Sequence, residues 1–408
     1  MTTKADALGL SAERLRYIDR FVQEKYVDSG RLKGAVILVA RRGEVAHLGV
    51  VGQMDAERGR PMTADTLFRI YSMTKPITSL AFMMLVEQGL VALDDPVHRY
   101  IPEWKNLGVY DGGFMETFRT RPVERPMLIV DLLRHTSGLT YGFQQRTNVD
   151  AAYRKLKIGE IEKAGTLDTM IADLATLPLE FSPGTAWNYS VSTDVLGYLV
   201  GKISGMPFEQ FLKTHLFDPL GMTDTGFSVP PSEASRLAAC YTLGPKGVEL
   251  QDDPTDSPYL SHPDFVSGGG GLVSTASDYL RFCQMVLNEG ELDGRRYVSP
   301  KTIHLMGANH LPGGKELAAM STSMFSEAAY AGLGFGLGFS TTIDPAATLI
   351  PASWGDLSWG GAASTAFWID PAEELVAIFM TQLLPSSAYP IRRQLRTLVY
   401  SAFTESDL

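Results

Sequence analysis

The sequence predicts a discontinuous α/β fold, a sheet-and-helix domain built from both ends of the chain with a mainly helical domain inserted between them. Two observations carry this expectation. β-rich apolar runs lie near both termini, at residues 35–52 and 364–382, and each is broken by a turn signal. Between them, apolar residues recur at the three- and four-residue spacing of helices that bury one face. The 408 residues are enough for two domains or one large composite. A composition of 45% hydrophobic and 20% charged residues excludes a disordered chain.

The elements follow in order. The opening residues read as a surface helix, with Leu15, Ile18 and Phe21 near helical spacing. Residues 35–52 form a hairpin around Arg42-Gly43-Glu44. In residues 68–89, Met73, Ile77, Leu80 and Met84 are spaced four, three and four apart, and Gly89 is placed to end a helix. Helical spacing returns at 166–177, 193–203 and 276–287, joined by loops rich in Gly and Pro. A further strand region spans 334–343, and Asp370-Pro371 marks the turn within 364–382. The tail from 390 to 403 carries Ile391, Leu395, Leu398 and Val399 on one helical face. The α/β domain is expected to comprise residues 1–78 and 265–408, the helical domain 79–264, with the active site between them.

Several function classes are excluded. The net charge is −10 and no basic stripe exists to displace counterions from nucleic acid. The Arg41-Arg42 and Arg392-Arg393 pairs are too short for that role and read as solvated surface. No stretch reaches the eighteen or so apolar residues of a membrane span, and the first twenty residues lack the apolar core of a signal peptide. With Met1 in place, a cytoplasmic protein is expected. Two cysteines, Cys240 and Cys283, are too few for a disulfide framework and read as buried thiols. There is no H-E-x-x-H, the seven histidines miss zinc-ligand spacings, and no G-x-S-x-G is present. The glycine runs at 268–271 and 332–338 lack the Lys-Ser/Thr of a phosphate loop and suggest tight backbone packing. No metal or cofactor is implied, and the oligomeric state is open.

Three short pieces carry chemistry. Ser72 and Lys75 are three apart at the start of the predicted helix, so they share one face of its first turn. A serine hydroxyl needs a base within hydrogen-bond reach, and a buried lysine whose neutral amine is favoured can serve. The S-x-x-K tetrad alone is a weak signal, equally written by a capping serine beside a solvated lysine. Tyr189 lies on a loop just before the helix at 193–203, where a phenol can face a cleft and relay a proton. Trp359-Gly360-Gly361-Ala362 opens the strand expected to run to Ile369, and its glycines allow a ligand or another backbone to approach closely. A backbone N–H there could join that of Ser72 as an oxyanion hole.

Together these pieces resemble the serine β-lactamase and penicillin-binding-protein superfamily. Its ordered motifs are S-x-x-K, Y-x-N or Y-S-x, and K-T-G or an equivalent triplet, and here they stand as Ser72 to Lys75, Tyr189-Ser190-Val191 and Trp359-Gly360-Gly361. The segments 132–139, 183–185 and 290–294 look like that family too, and the resemblance runs over roughly residues 10 to 400. Within it, the chain looks most like the class C β-lactamase-like (family VIII) carboxylesterases. The asparagine of Y-x-N is absent, and Trp359 replaces the lysine whose cation helps relatives hold a substrate carboxylate.

The resemblance implies a β-lactamase/transpeptidase-like fold, with an antiparallel sheet flanked by helices. It implies a serine carboxylesterase acting on short-chain neutral esters, with weak β-lactamase activity on the side. Ser72 would be the nucleophile, Lys75 and Tyr189 would share the base role, and the N–H groups of Ser72 and Ala362 would hold the oxyanion. Trp359, Gly360 and Gly361 would line the substrate pocket, with Tyr141, Phe143 and Trp187 as further candidates that plain packing explains equally well. His135 invites a Ser-His pairing, but its HTSGL context looks structural. A β-lactamase or D-Ala-D-Ala peptidase, an acyltransferase using the same acyl-enzyme, and a non-catalytic scaffold are the alternatives. The expected partner is a small ester, with no nucleic acid and no membrane.

Overall fold

The computed structural model describes residues 4–114, 117–162, 164–323 and 331–406. Helix α1 (Ala12–Val22) precedes strands β1 (Gly34–Arg41), β2 (Glu44–Asp55) and β3 (Arg60–Pro61). Helices α2 (Thr74–Glu87), α3 (Leu167–Leu174), α4 (Ser192–Ser204) and α5 (Ala276–Leu287) follow. The chain then forms β4 (Leu333–Phe335), β5 (Ser340–Thr342), β6 (Leu357–Gly360), β7 (Ala366–Asp370) and β8 (Leu375–Met380), and ends in α6 (Ile391–Tyr400).

These strands make one eight-stranded sheet in the order β4-β5-β6-β7-β8-β1-β2-β3, and every neighbouring pair is antiparallel. The expected antiparallel sheet flanked by helices is what forms. All eight residues of β1 are buried. Ala35, Ile37 and Val39 pack with Leu15, Ile18, Leu395 and Val399 of the terminal helices. Val36, Leu38 and Ala40 face the main core with α2 and α5. A strand covered on both faces reads as an unbroken apolar run rather than an alternation, which is how AVILVA is written.

Three expectations need correction. Trp359 and Gly360 close β6 instead of opening the next strand. Residues 361–365 form a tight turn, with the Gly361 N–H on the Thr365 carbonyl at 2.9 Å and that of Ser364 on the Gly361 carbonyl at 3.1 Å. The segment expected to be mainly helical also carries two hairpins, Val109–Phe114 with Thr117–Arg121 and Cys240–Gly244 with Gly247–Asp252. Apart from the buried Val109, Cys240 and Tyr241, their residues are half-buried or exposed, so no apolar alternation announces them. Arg41 is not solvated surface: it is fully buried, where the end of β1 meets carbonyls left by both chain termini. It donates to the carbonyls of Leu8, Gly9, Glu373 and Glu405, and pairs with the Glu373 carboxylate at 2.9 Å. Among the described residues no helix is long and apolar enough to cross a membrane.

Arg41→Met leaves the Glu373 carboxylate and four carbonyls without their shared donor. We expect a loss of about 3–5 kcal/mol, the usual cost of stranding one half of a buried pair, read as a lower midpoint in urea unfolding. A change below about 1 kcal/mol would show that the pair behaves like surface charge.

Candidate active site

The two-residue strand Phe68–Arg69 runs into the turn Tyr71–Met73 and then α2. Tyr71 is a left-handed non-glycine residue at φ 42°, a conformation that costs energy and persists only where its surroundings impose it. Here the Ile70 N–H donates to the Leu272 carbonyl at 3.0 Å, and the Tyr279 hydroxyl donates to that of Met73 at 2.9 Å. The bend leaves Ser72 half-buried while its neighbours on both sides are buried.

One helical turn on, Lys75 is buried. Its Nζ donates to the Gly269 carbonyl at 2.6 Å, the Tyr141 hydroxyl at 3.0 Å and Ser72 Oγ at 3.4 Å. Burial lowers its pKa from 10.5 to about 7, against the opposing charge of Asp194. Near neutral pH a large share of the amine therefore carries a free lone pair.

Tyr189 reaches the same serine from the loop before α4. Its ring lies 4.6 Å from Lys75 Nζ. Burial pushes the phenol pKa up, more than the polar groups of Ser72 and Trp359 pull it down, so Tyr189 stays protonated at neutral pH. Its ring packs on Tyr141 at 5.3 Å, Trp359 at 5.5 Å and His135 at 5.1 Å. His135 Nδ1 lies 3.2 Å from Ser190 Oγ, and burial lowers the imidazole pKa well below its usual value. That buried, neutral ring is part of the wall behind Tyr189.

The β6–β7 turn completes the wall. A Cβ on Gly361 would sit 2.4 Å from the Ile70 carbonyl oxygen, so only glycine lets this turn close on the bend before Ser72. Ala362 thereby lines the same cavity as Ser72, and its N–H makes no backbone hydrogen bond among the described residues. The cavity holds about 420 Å³. Tyr141 and Phe143, stacked at 4.8 Å, line it as expected of them.

Trp187 does not, and that candidate is corrected. It is fully buried behind Tyr189, stacked at 6.3 Å and 20°, because the cavity face of this layer is already taken by the tyrosine. Trp359, Gly360 and Gly361 are also absent from the cavity wall. Trp359 meets the site through Tyr189, and the two glycines lie against Arg392, whose Nη2 donates to the carbonyls of Gly361 and Thr365 at 2.5 and 2.6 Å.

Sequence reasoning missed Asp194. Its carboxylate is buried in α4, where Oδ1 accepts from Ser267 Oγ at 2.5 Å and the Gly269 N–H at 3.0 Å. It thus holds the loop whose carbonyl anchors Lys75. The available signal was a charged residue five positions after Tyr189, inside an apolar helix. The cavity also takes Tyr71, Glu160, Gln251, Tyr259 and Leu384 from segments with no motif. Among the described residues no group of three or more His, Cys, Asp or Glu side chains could hold a metal.

The chain is similar to known proteins over nearly its whole length. Residues 18–401 match the family model described as Beta-lactamase. Protein Rv1367c of Mycobacterium tuberculosis is 40% identical over 361 residues, covering 88% of each chain. Esterase EstB of Burkholderia gladioli is 33% identical, covering 97% of this chain and 96% of its own. Among solved structures, EstCE1, a hydrolase with promiscuous acyltransferase activity, superposes with a TM-score of 0.80 at 29% identity, over 95% of this chain and 99% of that one.

The depressed Lys75 pKa has a consequence for stability. Between about pH 7 and 10.5 the unfolded chain binds more protons than the folded one, so this lysine makes stability rise with pH across that window. Lys75→Met removes the term. The variant should be more stable than wild type by about 1–2 kcal/mol at pH 7, with the gap narrowing by pH 9.5, in denaturant melts at the two pH values. A variant less stable at pH 7 would show that the lysine's hydrogen bonds outweigh its desolvation.

Proposed function

We propose that this chain, which belongs to the beta-lactamase family, is a serine carboxylesterase that hydrolyses short-chain neutral esters through an acyl-enzyme on Ser72. The observation that carries the reading is the convergence on the cavity at Ser72 of a buried amine, its pKa lowered to about 7, and a protonated phenol. Lys75 takes the Ser72 proton as Oγ attacks the ester carbonyl, and the N–H groups of Ser72 and Ala362 donate to the oxyanion. As the tetrahedral species collapses, Tyr189 protonates the departing alkoxide and is reprotonated from the Lys75 ammonium. Water then enters by the same steps in reverse, giving the acid and free Ser72. The base is Lys75 and not Tyr189, because burial favours the uncharged form of both: that form is a base in the amine and an acid in the phenol.

Trp359 supports the choice of substrate. Relatives that hold a carboxylate place a lysine there, whereas this indole packs on the Tyr189 ring at 5.5 Å and carries no charge. The likeness to a hydrolase with promiscuous acyltransferase activity favours a second reading, in which an alcohol replaces water at the acyl-enzyme. We place the site between an α/β domain of residues 1–78 and 265–408 and an inserted domain of 79–264.

Ser72→Ala should lower kcat for p-nitrophenyl acetate and butyrate by at least about 10³-fold, with nitrocefin turned over slowly or not at all by wild type. Faster turnover of nitrocefin than of the esters would make the chain a β-lactamase instead. The acidic limb of kcat/KM should rise through about pH 7 as Lys75 loses its proton. Asp194 favours the ammonium, so Asp194→Asn should move that limb to lower pH, and a limb that stays in place would remove Lys75 as the titrating base.

A further inference from the structure

The cavity beside Ser72 has an unusual charge pattern. Glu160 is the one lining residue with a charged side chain among the described residues. Its Oε1 is buried and has no hydrogen-bond partner there. Around it the wall is aromatic: Tyr71, Tyr141, Phe143, Tyr189 and Tyr259 all line the same cavity. The tyrosines at 71, 141, 189 and 259 have pKa values raised by burial, so their rings are neutral donors and electron-rich faces.

The local fold fixes where the carboxylate sits. A Cβ on Gly159 would lie 2.6 Å from the Tyr141 ring and from Val191, so only glycine lets the segment carrying Glu160 lie flat on that tyrosine. Tyr141 in turn touches Lys75 through its hydroxyl and Phe143 through its face. The acid is therefore built onto the wall of the catalytic cavity.

Among the described residues no lysine or arginine forms an ion pair with Glu160. Arg154 is exposed, and its Nη1 donates to the Gly142 carbonyl at 2.5 Å. Arg392 donates to two carbonyls of the β6–β7 turn. Lys75 lies beneath Ser72, where its Nζ donates to the Gly269 carbonyl, the Tyr141 hydroxyl and Ser72 Oγ. Oε1 packs beside Gly142 and the Arg154 stem, and the half-buried side chain brings the carboxylate's charge to the cavity wall.

Resting on the esterase reading above, we propose that this cavity selects esters bearing a cationic group, a quaternary or protonated amine, with Glu160 as the specificity-determining carboxylate. Aromatic faces attract such cations through their quadrupoles, and quaternary ammonium ions are bound in this way by aromatic cages. The carboxylate adds a full charge in a cleft whose apolar walls focus its field. The net charge of −10 draws cations toward the molecule and repels anions. Neutral esters enter without this gain, and substrates with a carboxylate are turned away.

The test compares acetylcholine with its uncharged isostere, 3,3-dimethylbutyl acetate, on wild type and Glu160→Gln. The acyl group and the bond broken are the same, so the ratio of the two kcat/KM values reads recognition of charge alone. Wild type should prefer the choline ester by about tenfold, or about 1.4 kcal/mol. The preference should shrink as salt is added and fall to near parity in the variant. Turnover of the isostere with no preference for the cation, or a preference that survives Glu160→Gln, overturns the inference and leaves the esterase reading standing. If neither ester is turned over, calorimetric titration with tetraethylammonium separates the two. Binding to wild type that is at least about tenfold weaker in Glu160→Gln supports the cation site while the esterase reading fails. Equal or undetectable binding overturns the site as well.

Discussion

Everything in the active site depends on keeping an amine out of water. Lys75 can accept a proton near neutral pH only because the fold removes its solvent and leaves Asp194 as the countering charge. Three separate stretches of chain must converge to do this. Helix α2 supplies the amine one turn after the serine, the 267–271 loop supplies the Gly269 carbonyl, and the 139–144 segment supplies the Tyr141 hydroxyl. Asp194 ties the second of these to α4, the helix that follows Tyr189. The same desolvation keeps Tyr189 protonated, so a single cause produces both a base and an acid on one nucleophile.

The sheet matters because it fixes where α2 begins. β1 is buried on both faces and holds β8 on one side and β2 on the other. β7 and β8 are equally buried, so the turn before β7 is carried on a rigid edge. Gly361 then closes against the Ile70 carbonyl, two residues before the nucleophile. That contact of backbone on backbone couples the strand layer to the helix start, and puts Ser72 and Ala362 on one cavity. The left-handed Tyr71 is the strain held by this junction.

What the sequence revealed follows the same physics. Patterns set by local period were legible: the hairpin around Arg42-Gly43, α2 ending before Gly89, α4 and α5, and the C-terminal helix. The order and spacing of Ser72, Lys75 and Tyr189 were legible because residues three apart on a helix must share a face. Burial of a charge was not. Arg41 stood beside a second arginine and a turn, and nothing local told that both termini would bring it carbonyls. Asp194 and Glu160 act through partners more than thirty residues away in sequence or through a cavity, and no period encodes a cavity. Trp187 was misplaced for a similar reason, since position on a motif-bearing loop does not say which of two aromatic layers a ring occupies.

The charges also account for how this site parts from a carboxylate-binding relative. Holding a substrate carboxylate takes a cation with free donors at the cavity. Here the triplet position carries Trp359, an uncharged indole packed on the Tyr189 ring. Arg392 donates to the backbone of the turn that presents Ala362. Spending Arg392 on that turn secures the geometry of the oxyanion donor and withdraws the cation from recognition. Lys75 cannot substitute, because its donors are taken by the Gly269 carbonyl, the Tyr141 hydroxyl and Ser72 Oγ. With those cations committed, the charge left on the cavity wall is that of Glu160. The polarity of the pocket is thus a consequence of how the nucleophile and the oxyanion hole are built, and replacing Trp359 by lysine alone would not restore a carboxylate site while Glu160 remains.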